Sequence, residues 1–338
     1  MTTAADIRRD ANAVLLPAHS DIVFGEESRV FFQSGGVAVL LGSTRDEYVA
    51  RRMSAARIAF ETPGDFLSYV AQAKSLAGHV LIAVDHEIGG VHRLHDLAPQ
   101  LVHPTAALDM SSEEMETFGR ECATAAARLG VNLFLAPVLD AVSGVNPWLL
   151  NRSLSVDPEV VAVVTSAFIS GVQSCRVAAT AKHFPGHHVT AEDPFDSESV
   201  TVPGTMAELE LGFEPYRAAI RVGVKAIMTG PVPVEAIDPS QPASTSRKVV
   251  DLLRSEFGFT GLIISDDIDL PGTLRGRTVS DVAVEALRAG VELLLLASGP
   301  QVKLVGDRIV QAVEAGEIPE ETLAAAAQKI RKLAKDLS

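Results

Sequence analysis

The chain has 338 residues, 47% of them hydrophobic, enough for one large α/β barrel or two ordinary domains around a sizeable core. Its 29 Lys and Arg against 43 Asp and Glu give a formal charge of −14, which argues against the extended electropositive face that nucleic acid requires. No apolar run approaches the roughly 18 residues of a membrane span, and MTTAADIRRDANAVLLPAHS has no apolar core ahead of a cleavage site, so a soluble, cytoplasmic chain without a signal peptide is expected.

Short runs rich in Val, Ile and Leu recur along the chain: AVLLP (13–17), VAVLLG (37–42), VLIAVD (80–85), VNLFLAP (131–137), VAATAKHF (177–184), AIMTG (226–230), GLIISDD (261–267) and LLLLA (293–297). Such continuous apolar runs suit strands buried on both faces, as in a parallel sheet. Helical patterns lie between them. SSEEMETFGRECATAAARLG (111–130) has Ser111 or Ser112 as cap and acidic residues in its first turn; DPEVVAVVTSAFISGVQS (157–174), SRKVVDLLRSEFG (246–258, with a glycine stop) and PEETLAAAAQKIRKLAKDL (319–337) follow. Cys122 and Cys175 have neither zinc-site nor disulfide spacing and are expected as buried, inert thiols in helical context. Eight strands alternating with helices predict a single-domain (β/α)8 TIM barrel over 1–338, with a doubly wound open sheet as runner-up. No G-x-G-x-x-G follows the first strand, which weakens a dinucleotide-binding reading.

In a barrel, function sits at the C-terminal ends of the strands. Polar residues cluster there: Asp85 and Glu87 after the third run, Asp140 after the fourth, Lys182 and His183 at the fifth, Asp266 and Asp267 at the seventh. A carboxylate at the end of a buried strand is costly to desolvate and is kept for a use. Asp266, directly after GLIIS, suits a nucleophile, a base or a metal ligand, while Asp267 equally suits a helix N-cap. Lys182 and His183 could capture hydroxyls or an oxyanion, Asp85 could accept paired hydrogen bonds from a polyol, and Arg152 reads as a surface arginine or a clamp. Carboxylates and cationic donors in one bowl describe sugar chemistry. The histidines and aspartates lack compact metal-ligand spacing, so no metal is expected.

These motifs resemble glycoside hydrolase family 3, in its single-domain β-N-acetylglucosaminidase branch, over most of the chain. VDHEIGGVHRL resembles the family's D-Q-E-G-G-R-V-Q-R-L, NRSLSVDPE its R-S-F-x-x-D-P-E, AKHFPGH its K-H-F-P-G-H, and GLIISDDIDL its nucleophile motif. The resemblance implies retention through a covalent glycosyl-aspartate at Asp266, with Asp85, Arg152, Lys182 and His183 gripping the nonreducing sugar. It implies an N-acetylglucosaminide or related oligosaccharide substrate, no cofactor, and a monomer or weak homodimer. A diverged member running transfer, elimination or another tailoring reaction, or a noncatalytic sugar binder, is the alternative.

The segment 181–201, expected as an active-site loop after strand five, departs from the family. There K-H-F-P-G-H-G leads into a D-S-H triplet whose His is the general acid/base. Here His188 replaces the Gly. Without a gap the triplet is Asp193-Pro194-Phe195, and with a three-residue insertion it is Asp196-Ser197-Glu198. Three accounts follow: Glu198, Asp196 or Asp193 is the acid/base, as a carboxylic acid with a raised pKa can be; His187 or His188 has taken over; or the acid is lost and substrates with good leaving groups are used. The arginine of the third-strand motif falls at Gly90, and the family's histidine after strand six falls at Pro231.

Overall fold

Eight parallel strands form a barrel in the computed structural model, which describes residues 3–338; the first two residues of the expected domain 1–338 lie outside the described residues. The strands are β1 (Leu15–His19), β2 (Ala38–Leu41), β3 (Leu81–Val84), β4 (Leu133–Phe134), β5 (Ala178–Phe184), β6 (Ala226–Thr229), β7 (Leu262–Ser265) and β8 (Leu294–Ala297). β8 pairs with β1, β1 with β2, and so on in chain order to β7. In-register pairs such as Leu15 with Leu294 and Ala226 with Leu262 fix the ladder. The ring closes where Ile264 bridges Leu293 and the Ser265 N–H donates to the Leu293 carbonyl at 2.9 Å. β2, β3, β6 and β7 are buried at every position, one face toward the barrel interior and the other beneath helices. Continuous rather than alternating apolar runs follow from that double burial.

The helices start where the sequence supplies caps. Ser111 accepts a hydrogen bond from the Glu114 N–H while Glu114 accepts from the Ser111 N–H at 2.8 Å, a reciprocal box that starts the helix Ser112–Arg128. Ser246 caps Arg247–Asp251, but the helix then widens into a π-turn over Leu252–Glu256 before ending at Gly258, whose φ of 65° a glycine takes without strain.

Three readings of the sequence are corrected. Residues Ala4–Ala13 form a helix, capped by Thr3 and Asp6, so β1 begins at Leu15 rather than at residue 13; this helix buries Ala11, Asn12 and Ala13 and packs on the last two helices. Within the run 131–137 the strand is only Leu133–Phe134, and beyond it the backbone still ties to its neighbours, with the Leu135 N–H on the Val84 carbonyl and the Ala136 and Pro137 carbonyls accepting from the Thr180 and Lys182 N–H groups. Cys122 is buried, but Cys175 is only half-buried: its helix stops at Gln173, and Cys175 lies in the turn beyond the Ser174 cap.

Candidate active site

The strand ends surround a cavity of about 510 Å³ at the C-terminal mouth of the barrel. Asp85, Lys182, His183, Asp266 and Asp267 line it from β3, β5 and β7, and Arg152 reaches in from the long connection after β4. The structure thus brings together five of the residues expected from the sequence as nucleophile and sugar grip.

Asp266 stands one residue past β7, its N–H held by the Thr229 carbonyl at 3.0 Å. Its Oδ1 accepts from the Asp267 N–H at 2.8 Å, which fixes the carboxylate's rotation. Its Oδ2 is buried and has no hydrogen-bond partner among the described residues; the nearest cationic-capable atom is His183 Nε2 at 3.9 Å. An oriented carboxylate with one uncommitted oxygen facing a cavity is what attack on carbon requires.

Across the cavity, Glu87 gathers the cations. It is fully buried and accepts from Arg152 Nε at 2.9 Å and Nη2 at 3.1 Å, and from Lys182 Nζ at 2.9 Å. Burial alone would raise the Glu87 carboxyl, but the charges and hydrogen bonds of Arg152 and Lys182 outweigh it and hold it below the usual range. Against burial, Glu87 in turn holds both cations above their ordinary values. Lys182 also reaches Asp85 Oδ1, at 3.3 Å. Asp85 nonetheless shifts upward: burial dominates, and the ammonium it shares sits closer to Glu87. Arg152 is therefore not a surface arginine, since its guanidinium is pinned by Glu87 and lies 5.4 Å from the Trp148 ring centroid.

A second anchor orients His183. Asp140 is buried and accepts from the His183 N–H at 3.0 Å, from His183 Nδ1 at 2.8 Å and from the His187 N–H at 2.7 Å. Burial would raise Asp140, but His183 and His187 outweigh it and hold it well below the carboxylate range. Burial also lowers His183, with Asp140 opposing. A neutral imidazole donating through Nδ1 leaves Nε2 as an acceptor toward the cavity. Glu87 and Asp140 are positioning residues to which the sequence reading gave no role. Their signal was present, because each follows a buried apolar run within three residues or fewer, but their partners lie 65 and 43 residues away in the chain.

Gly90 has a steric explanation. A Cβ there would lie 2.0 Å from Glu87 Oε2, so the arginine of the family motif cannot be placed without displacing Glu87. Asp267 is not a helix cap: Leu270 occupies that position for Pro271–Leu274, and Asp267 lines the cavity instead. Burial, then the neighbouring charges of Asp269, Asp266 and Asp85, push its carboxyl well above the ordinary value.

The segment 181–201 begins inside β5, which runs to Phe184, and becomes loop beyond it. His187 is buried, its Nδ1 3.1 Å from the His183 carbonyl; His188 is half-buried at the loop's edge. Asp193 turns inward on its own loop, accepting from the Phe195 N–H at 2.9 Å. Asp196 and Glu198 are exposed. None of these three carboxylates lines the cavity. Phe195 does, and Arg45 lies 3.7 Å from its ring centroid with Tyr48 at 5.4 Å. The third residue of the ungapped triplet is thus the loop side chain that reaches the site. The loop is fastened further by the Gly272 N–H on the Pro194 carbonyl at 2.9 Å and by Arg275 on the Val200 carbonyl at 3.1 Å.

A TIM barrel with an oriented carboxylate facing a grip of carboxylates and cations is the architecture of a glycoside hydrolase. The chain belongs to glycosyl hydrolase family 3: residues 64–333 match the family model described as the glycosyl hydrolase family 3 N terminal domain. It is 32% identical to a β-hexosaminidase of Methylococcus capsulatus over 250 residues, covering 72% of this chain and 74% of that protein. It is 30% identical to the β-hexosaminidase LpqI of Mycobacterium tuberculosis over 248 residues, 70% of this chain and 63% of that one. Among solved structures, a family 3 β-N-acetylglucosaminidase from Paenibacillus sp. superposes with a TM-score of 0.86 at 27% identity, covering 98% of this chain but 62% of that longer one. No helix of the described residues is long and apolar enough to cross a membrane.

Proposed function

We propose that the chain is a retaining exo-β-N-acetylhexosaminidase-like hydrolase working through a glycosyl-aspartate at Asp266. The observation that supports this most is the Asp266 carboxylate, rotationally fixed through Oδ1 and uncommitted at Oδ2, at the wall of the cavity that Asp85, Arg152, Lys182 and His183 share. In the first step Asp266 attacks the anomeric carbon and the leaving-group oxygen departs with the bonding pair. In the second, water attacks that carbon, the ester pair returns to the aspartate, and the water's proton passes to the released leaving-group oxygen. Asp85, Arg152, Lys182 and His183 supply hydrogen bonds to the terminal sugar and so the orienting part of the rate enhancement. The N-acetylhexosamine preference is taken from the named activities of the relatives.

The test is mass-spectrometric labelling with a 5-fluoro N-acetylglucosaminyl fluoride. The expected adduct maps to Asp266, and Asp266→Asn lowers kcat on 4-nitrophenyl β-N-acetylglucosaminide by at least about a thousandfold without a change in fold. Labelling elsewhere, or turnover kept by the variant, would sink the assignment. The reading places the enzyme in the cytoplasm as a monomer or weak homodimer. Two free cysteines suit a reducing compartment, and cell fractionation with sedimentation velocity checks both points.

A further inference from the structure

The loop side chain that lines the catalytic cavity is Phe195, which has no proton to give. The loop carboxylates Asp196 and Glu198 are exposed, and Asp193 spends an oxygen on the Phe195 N–H. A glycoside whose leaving group departs as an alkoxide needs a proton at that oxygen. A glycoside whose leaving group is already a stable anion does not. The same wall of the cavity carries a cation suited to such a group. Arg45 lines the cavity, is exposed, stacks on Phe195 at 3.7 Å and makes no ion pair among the described residues. Unlike Arg152 and Lys182, whose charges are already committed to Glu87, it has charge to offer a ligand.

The topology supplies the rest of the cradle. β8, β1 and β2 are consecutive around the barrel, and the residues after them place Ser298, Ser20 and Ser43 on one arc of the lining of the cavity that Arg45, two residues beyond Ser43, also lines. Hydroxyl donors beside a guanidinium fit phosphoryl oxygens, with Arg able to donate in pairs.

We infer that this enzyme acts on glycosides with an anionic, self-departing leaving group, of which a glycosyl phosphate is the type, and that Arg45 receives the anion. The inference deepens the proposed function and rests on Asp266 as nucleophile. In the first step, on the singly protonated phosphate ester, the Asp266–C1 bond forms, the C1–O bond of the C1–O–P bridge breaks, and the electron pair stays on the oxygen, so that the group leaves as hydrogen phosphate with its own proton and none supplied by the protein. In the second, water adds to C1, the ester pair returns to Asp266, and the water's proton passes to the retained phosphate. Phe195 closes the apolar side of the site and, with Arg45 resting on it, positions the guanidinium.

The experiment compares three substrates carrying the same sugar: β-N-acetylglucosamine 1-phosphate, the 4-nitrophenyl glycoside and the unactivated disaccharide. The wild-type chain is expected to release phosphate and nitrophenolate, with kcat/KM on the disaccharide lower by at least a thousandfold. Arg45→Ala should lower the ratio of phosphate to nitrophenyl kcat/KM at least tenfold, and Arg45→Lys should restore most of that ratio. Phe195→His, which returns an imidazole to the loop, should raise disaccharide turnover relative to the nitrophenyl compound. Turnover of the disaccharide alongside the nitrophenyl glycoside, without phosphate release, would overturn the inference and leave the glycosidase reading intact. So would an unchanged ratio in Arg45→Ala. Turnover of none of the three, with no fluorosugar adduct on Asp266, would overturn both.

Discussion

Replacing Glu87 by Gln removes one negative charge from beneath two buried cations. Glu87 accepts three hydrogen bonds, two from Arg152 and one from Lys182, with no solvent exposure of its own. An amide can accept through one oxygen, but its NH2 then faces a further donor, so at least one cation loses its partner in a place water does not reach. Removing one member of a buried pair costs about 3–5 kcal/mol. A chain of 338 residues has an unfolding entropy of roughly 0.7 kcal/mol/K near its midpoint, so the expected fall in Tm is about 4–7 °C. The pH dependence gives an independent reading. The Glu87 carboxyl is held below its ordinary value of 4.5, so its stabilisation is complete above that value and is lost as pH falls through the lower folded-state value. The gap in Tm between wild type and Glu87→Gln should therefore be widest near neutrality and narrow below pH 4.5. Differential scanning calorimetry across that range is the assay. A neutral-pH Tm within 1 °C of wild type, or a gap that widens on acidification, would refute the view that Glu87 neutralises Arg152 and Lys182.

Asp140→Asn should cost activity through His183 rather than through a lost catalytic group: an amide can no longer fix the Nδ1–H tautomer, and misplacement of the imidazole is expected to lower kcat/KM about 100-fold, with a rise in KM for the terminal sugar, read by steady-state kinetics. Gly90→Arg should destabilise by about 1–3 kcal/mol, because its Cβ cannot coexist with Glu87 Oε2 at 2.0 Å; urea denaturation that shows an unchanged midpoint would contradict this. Glu198→Gln and Asp196→Asn, both at exposed positions outside the cavity lining, should leave Tm within about 1 °C and turnover of the 4-nitrophenyl glycoside within about twofold. A hundredfold loss in either variant would assign that carboxylate to the chemistry.

The barrel was legible in the sequence because parallel strands buried on both faces leave a one-dimensional signature: seven of the apolar runs contain a strand and the first overlaps one. Asp266 and Lys182-His183 were legible for a related reason: polar residues abutting such runs must stand at a strand end. The amino-terminal helix was missed because AADIRRDANA runs directly into the apolar segment that follows, and only its packing on the last two helices separates the two. Glu87 and Asp140 could be seen as strand-end carboxylates, but not as the anchors of Arg152 and His183, since those pairings span distances in the chain that no local pattern encodes. The same holds for Asp267, whose role as a cap or a cavity wall depends on where the next helix begins. Which residue of the divergent loop faces the cavity was beyond the sequence altogether, because an ungapped and a gapped reading spell equally plausible triplets. The tertiary structure decides it through packing: Phe195 finds apolar and cation–π contact on Tyr48 and Arg45, while Asp196 and Glu198 keep their hydration. Local chemistry dictated the barrel and the place of Asp266 at a strand end, and the free energy of burying one side chain rather than another set the face the loop presents.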